Sequence, residues 1–333
     1  MLSVFVWLLF LAFLGLVAFF FVGWPKASET SVYGMTFSRP YAEGDLDLDA
    51  DAVLKAAIDD LGIRHFRLPV TWKTIQPTTT STDFGPLDRD IAAITKAGGS
   101  VTLAIGEKVP RWPECWGPDW WKALPRDTQQ QETLAFIEKV VTRYRETSAV
   151  VTWQVENEPN FVYGDCPAPD MAFLKQEVAL VRRLDPTRPV ASTDSGELSA
   201  WISFGKTVDT LGVSVYRVVR NPIIGTLRYI FIPPWFYQRK ALFASLFGVK
   251  NVYVSEFQME PWSNIPLTET PMDDQFDTMD IEQMQANFRF AERMNLTPID
   301  FWGVEWWYWM KEKQNHPEFW ETAKAFYRKH PSP

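Results

Sequence analysis

Residues 2–23 of the chain, LSVFVWLLFLAFLGLVAFFFVG, are almost entirely apolar and carry no charge. A short polar stretch, KASETS, follows, and beyond it the pattern changes to compact apolar runs alternating with longer amphipathic ones. The compact, β-branched and aromatic runs predict strands: SVYGMTF near residue 31, IRHFRLPV from 63, SVTLAIG from 100, AVVTWQVEN from 149, RPVAST from 188, TLGVSVYRV from 210, NVYVSEFQ from 251 and PIDFWGVEWW from 298. Between them, stretches such as DADAVLKAAIDDLG, LDRDIAAITKAGG, TQQQETLAFIEKVVTRYRE, MAFLKQEVALVRRLD, ALFASLFG, MDIEQMQANFRFAERMN and EFWETAKAFYRK have helical patterning. Several of these close on Gly, Asn or Asp-Pro, as helix ends tend to. Eight strands alternating with helices predict a parallel sheet. Eight in this length, without a glycine-rich phosphate loop, favour a closed (β/α)8 TIM barrel over an open doubly wound sheet.

The uncharged N-terminal run is long enough to cross a bilayer as a helix. It lacks the basic start, short apolar core and small-residue cleavage site of a secretory signal. Residues 1–25 therefore read as an N-terminal transmembrane anchor or uncleaved signal, 26–31 as a linker and 32–333 as one catalytic domain. The only nearby cation, Lys26, leaves the orientation open.

Thirty-three basic and 41 acidic side chains give a net charge of −8, which excludes the cationic footprint a nucleic-acid partner needs. The three histidines, His65, His316 and His330, are scattered, and the two cysteines have no histidine beside them, so no metal site is expected and no motif calls for a cofactor. Sixteen tryptophans and 24 phenylalanines exceed what a core of this size requires. Aromatic faces in excess serve an interface, a membrane or a flat ligand.

In a (β/α)8 barrel, chemistry sits at the C-terminal ends of the strands. Strand four ends at Glu158 in WQVENEP and strand seven at Glu256 in VYVSEF. Two glutamates on facing strands suit glycoside hydrolysis, in which one donates a proton to the leaving oxygen and the other attacks the anomeric carbon or directs a water. WQVENEP followed by VYVSEF about a hundred residues later resembles clan A of the glycoside hydrolases, the retaining (β/α)8 enzymes, with a family 39-like or family 5-like flavour. The resemblance implies Glu158 as general acid/base and Glu256 as nucleophile. It further implies that Asn157 binds the hydroxyl beside the anomeric carbon, that Arg67 sits beside the nucleophile and that Tyr216 hydrogen-bonds it. A β-linked oligosaccharide or polysaccharide is the implied partner. The mechanism also requires the two carboxyl groups to share one opening, roughly 5–5.5 Å apart.

Clan members place a tryptophan as a floor under the sugar at strand eight, and Trp306 or Trp307 is expected there. In the loop after strand three, Trp112, Trp116, Trp120 and Trp121 offer further sugar-binding faces or ordinary loop packing. Glu260 and Glu305 are competing carboxylates, and strand three ends in AIGEK without the histidine some members place there. Cys115 and Cys166 fall in the neighbouring loops after strands three and four, where a disulfide is possible and would imply an extracytoplasmic compartment. The stretch RYIFIPPWFYQRKALFASLFG after strand six is apolar with interspersed Arg228, Arg239 and Lys240; it reads as a loop entering a barrel helix, a membrane-resting surface or a lid. Two rival readings keep the barrel: a catalytically inactive glycan-binding protein, and a transglycosylase using the same two glutamates.

Overall fold

The computed structural model describes residues 2–23, 31–221 and 225–331. Eight parallel strands close into a barrel: β1 (Tyr33–Thr36), β2 (His65–Pro69), β3 (Ser100–Ile105), β4 (Val150–Val155), β5 (Val190–Asp194), β6 (Thr210–Val215), β7 (Asn251–Gln258) and β8 (Ile299–Trp302). Neighbours in the chain are neighbours in the ring, and β8 closes on β1 with Tyr33 opposite Ile299 and Thr36 opposite Trp302. Most strand positions are buried, since the barrel interior lies on one face and the helical layer on the other. This explains why the strands read as nearly continuous apolar runs.

The helices form where an amphipathic stripe meets a capping side chain. The helix Ala50–Asp59 turns Val53, Leu54, Ala57 and Ile58 inward, and the Asp49 carboxylate accepts from the backbone N–H of Asp51 and Ala52. Asp170 and Asp280 cap the helices Met171–Leu184 and Ile281–Ala291 in the same way. The β5–β6 connection carries no α-helix, and the β6–β7 connection inserts an antiparallel hairpin, Val218–Asn221 with Gly225–Arg228, before the helix Trp235–Ser245.

One sequence expectation changes here. The run PIDFWGVEWW is not all strand: β8 stops at Trp302, and Gly303 turns the chain at φ 145°. An added Cβ at Gly303 would lie 2.8 Å from the Met259 carbonyl oxygen, so only glycine fits this turn. The helix Val304–Lys313 follows at once and carries both Trp306 and Trp307.

Candidate active site

At the barrel's C-terminal end, β7 contains an irregularity that sets its chemistry. Val213 of β6 pairs with Val254, but the next residue, Ser214, pairs with Glu256. Ser255 is the extra residue of a β-bulge, and the register against β8 shifts at the same place. A bulge bends its strand and re-aims the side chains beyond it. The Ser255 carbonyl accepts from Arg67 at 3.2 Å, and Glu256 is left opposite Ser214.

Arg67, on β2, is fully buried and reaches two other strands, β4 and β7. Its Nε donates to Gln154 at 2.6 Å, one terminal nitrogen to Glu256 at 2.8 Å and the other to the Asn157 side-chain oxygen at 2.7 Å. The Tyr216 hydroxyl donates to the second Glu256 oxygen at 3.0 Å. Glu256 is thus buried, with one oxygen bonded by a guanidinium and the other by a phenol.

Glu158 lives in a different setting. It follows β4 with φ 44°, and Glu156 has φ 59°. Such left-handed backbone costs a residue with a side chain of order 1–3 kcal/mol and persists only where surrounding contacts enforce it. Those contacts are visible. The Glu158 N–H donates to the Thr193 hydroxyl at 2.8 Å, and its carbonyl accepts from the Lys108 ammonium at 3.2 Å. The Glu156 carboxylate accepts from the N–H groups of Glu107 and Lys108 at 2.6 and 2.7 Å, pinning the loop after β3 to the end of β4. Gly106 makes room for this: a Cβ there would lie 2.1 Å from a Glu156 oxygen. The Glu158 side chain itself receives one neutral donor, the Ser214 hydroxyl, at 2.7 Å. Burial and then the charge of Glu256 push the Glu158 pKa up to about 8. Thus Ser214 bonds one glutamate and stands in register with the other.

A third carboxyl group joins them. Glu114, in the loop after β3, is buried and accepts from the Asn157 amide nitrogen at 3.0 Å. Burial, followed by the Glu256 charge, raises its pKa to about 8. Sequence reasoning did not single out Glu114, because it lies ten residues beyond Ala104 in an irregular loop. The cue available was its position, PECW, beside Cys115. Cys115 and Cys166 are joined by a disulfide with Cα atoms 5.2 Å apart, which ties the two loops that supply Glu114 and Glu158.

Tyr163, half exposed, has its pKa pushed up to about 12 by burial and then by Glu114, Glu158 and Glu256. Its ring lies 6.0 Å from Trp112 and 6.4 Å from Trp262, and Trp262 meets Tyr216 edge-on at 5.1 Å. Trp112 is 61% exposed, so this chain of rings runs from solvent to the Glu256 partner.

The expected aromatic floor requires a correction. Trp306 and Trp307 are both 0% exposed, with their indole N–H groups bonded to Gln275 and to the Met259 carbonyl. They are core residues and present no face to a ligand. The tryptophan at the end of β8 is Trp302, in register with Gln258 just beyond Glu256. Trp121, against Trp72, is likewise core. Glu260 and Glu305 both pair with Arg111, and Trp302 donates to Glu260 at 2.7 Å. Among the described residues, no cluster of three or more His, Cys, Asp or Glu side chains is arranged to hold a metal ion.

The sequence pattern of the cellulase family (glycosyl hydrolase family 5) matches residues 26–203, just over half of the chain. That segment contains Arg67, Asn157 and Glu158 and ends before β7. No curated protein sequence matches the chain. Among solved structures, a β-galactosidase from the Antarctic haloarchaeon Halorubrum lacusprofundi superposes with a TM-score of 0.58 at 15% identity, covering 89% of this chain and 58% of that one. A GH5_18 protein from Streptomyces cattleya, solved with GlcNAc, gives 0.58 at 14% identity, covering 83% and 71%. Xylanase 10B from Thermotoga maritima gives 0.56 at 14% identity, covering 82% and 83%. At these identities the likeness is one of fold, and the chain spans little more than half of the β-galactosidase's length.

Proposed function

Because the chain belongs to the cellulase family, glycosyl hydrolase family 5, we propose that it is a retaining β-glycosidase acting on an oligosaccharide or polysaccharide by double displacement. The carrying observation is the opposed surroundings of two carboxyl groups beside Ser214: Glu256, in register with it, bound by Arg67 and Tyr216, and Glu158 bound by its hydroxyl alone. The reaction needs one carboxyl group that attacks and another that carries a proton.

In the first step a Glu256 oxygen attacks the anomeric carbon while the glycosidic C–O bond breaks. Glu158 gives its proton to the departing oxygen. In the second step Glu158, now a carboxylate, takes a proton from water as that water attacks the same carbon. The bond between that carbon and the Glu256 oxygen breaks as the water attacks, and both carboxyl groups return to their starting states. Asn157, fixed by Arg67, Thr193 and Glu114, is placed to bind the hydroxyl next to the reacting carbon, a contact that tightens as positive charge develops there. The exposed ring of Trp112, with Tyr163 and Trp262, offers flat faces for neighbouring sugars.

The same reading holds the enzyme at a membrane. The helix Leu2–Phe21 has 20 residues, about 30 Å of α-helix, and its side chains are largely exposed. A disulfide beside the site suits an oxidising compartment, which supports the reading of the barrel as extracytoplasmic. The test is a panel of defined β-linked glycans, with the anomeric form of the first product followed by NMR. A β-anomer formed before mutarotation is expected; an initial α-anomer, or no cleavage of any β-glycan, contradicts the proposal.

A further inference from the structure

The N-terminal helix does not stand alone. Its C-terminal end packs on the helix Trp235–Ser245: Phe20 lies 5.6 Å from Phe236 and 6.2 Å from Phe243, and Phe21 lies 5.4 Å from Phe236. The Arg239 guanidinium donates to the carbonyls of Phe19 and Val22, satisfying backbone acceptors that a helix end leaves open. The apolar span is thus joined to one wall of the barrel by rings and by a capping cation.

That wall continues outward as an apolar surface. On the helix Trp235–Ser245, Tyr237, Lys240 and Ala244 face the barrel, and Phe236, Arg239 and Phe243 meet the N-terminal helix. Leu242 and Leu246 are four residues apart, so they share a third face, next to Arg239, and Leu246 is 77% exposed. Phe247 packs against Phe243 with its ring tilted and is half exposed, with its carbonyl against the turn that carries the exposed Ile202. In the segment that leads into the helix, Ile230 and Phe231 are exposed too, Ile230 at 83%. Exposed side chains of this size, gathered beside a membrane span, form a patch that a freely solvated wall does not carry.

Charge separates this wall from the rest of the chain. Between Leu198 and Lys250 there are seven Lys and Arg residues and a single acid, Asp209, in a protein whose net charge is −8. Some of these cations are internally engaged: Arg228 donates to the Asp277 carbonyl, and Lys240 to the Gly196 carbonyl. Lys206 and Lys250 are exposed, and Lys206 lies against Gly248 beside Leu246 and Phe247. Apolar residues flanked by cations match the boundary between acyl chains and anionic headgroups.

We propose that this wall, built from Ile230, Phe231, Leu242, Leu246 and Phe247 and rimmed by Lys206 and Lys250, rests in the surface of a bilayer containing anionic lipid. The inference depends on the N-terminal helix being a membrane anchor, and it adds a second contact that fixes how the barrel is turned relative to the membrane. A tethered barrel free of this contact would tumble; a docked one presents its mouth in one orientation.

Fluorescence depth measurement on the full chain tests it. Both native cysteines are in the disulfide, so a single introduced thiol takes the label. An environment-sensitive fluorophore is placed in turn at Leu246→Cys, Phe231→Cys, Leu11→Cys in the anchor, and Thr142→Cys on the helix Arg126–Tyr144 of another wall. The protein is reconstituted in vesicles of phosphatidylcholine and phosphatidylglycerol, without spin label, with lipid spin-labelled near the headgroup end of its acyl chain (read at 246, 231 and 142), or with lipid spin-labelled near its methyl end (read at 11). The expected result is at least about twofold quenching at positions 246 and 231, together with quenching at 11 and none at 142. Quenching at 11 without quenching at 246 and 231 overturns the docked wall and leaves the anchor intact. Absence of quenching at 11 overturns the anchor and this inference with it. A label at 246 that is untouched by spin-labelled lipid but self-quenches as protein density rises would assign the surface to a second copy of the chain, and also overturns the proposal.

Discussion

Two clusters at the mouth of the barrel are built from the same parts. Around Arg111, the carboxylates of Glu260 and Glu305 each bond the guanidinium directly, which is stacked between the rings of Tyr41 and Trp302 at 3.8 and 4.1 Å. Around Arg67 stand three carboxyl groups, Glu256, Glu158 and Glu114, and only Glu256 touches the cation. In the first cluster each carboxylate has a cation against it. In the second, two acids are left with neutral partners, a serine hydroxyl and an asparagine amide, and both hold a proton near neutral pH. What separates a structural ion cluster from a site able to move protons is this imbalance.

The sharpest way to break the comparison is Glu256→Gln, which keeps the Arg67 and Tyr216 contacts in shape but removes the attacking oxygen's charge. Loss of about 10⁴-fold or more in kcat is expected with the thermal transition nearly unchanged; a variant within tenfold of the parent would move the chemistry elsewhere. Glu158→Ala should lower kcat/KM on an unactivated glycan by roughly 10²–10⁴-fold. The loss should be far smaller on an aryl glycoside whose leaving group needs no proton, and steady-state kinetics on the two substrates reads the difference. Arg111→Met tests the other cluster. It leaves two buried carboxylates without their cation, so denaturant unfolding should reveal about 3–5 kcal/mol of lost stability. Specific activity per folded molecule should change much less.

The smallest effects separate Glu158 from Glu114. In the proposed mechanism Glu158 acts as an acid, and its pKa of about 8 lies above its ordinary value, so activity should fall as pH rises through about 8. The sign for stability runs the same way. An acid that holds its proton more tightly folded than unfolded is penalised as pH climbs past its unfolded pKa, up to its folded one. Glu114→Gln removes the neighbouring acid of similar pKa and should lower kcat/KM by roughly tenfold through Asn157, leaving the alkaline limb in place. If that limb vanishes in Glu114→Gln, Glu114 and not Glu158 sets it.

The barrel was legible in the sequence because each strand is a compact apolar run and each helix has a stripe and a cap. The strand ends that carry Glu158 and Glu256 follow from that same periodicity, whereas Arg67 and Tyr216 were expected only from the family resemblance; both lie against Glu256. Trp306 and Trp307 were misplaced because an aromatic run reads alike as strand or helix; the deciding residue was Gly303, whose turn ends β8 at Trp302. Glu114 escaped for the opposite reason: it sits in a loop with no period, and its position depends on the disulfide and on contacts from β4. The bulge at Ser255 was equally silent, since an extra residue in a strand leaves no mark in an apolar run.

The pairing of Glu158 with Glu256 across Ser214 is tested most directly by trapping. A panel of 2-deoxy-2-fluoro β-glycosides with activated leaving groups is incubated with the enzyme, followed by peptide mapping by mass spectrometry. The expected result is a single covalent glycosyl adduct on Glu256, which forms more slowly once Ser214 is changed to alanine. An adduct on Glu114 or Glu260, or none from any glycoside that the enzyme demonstrably cleaves, would contradict the assignment.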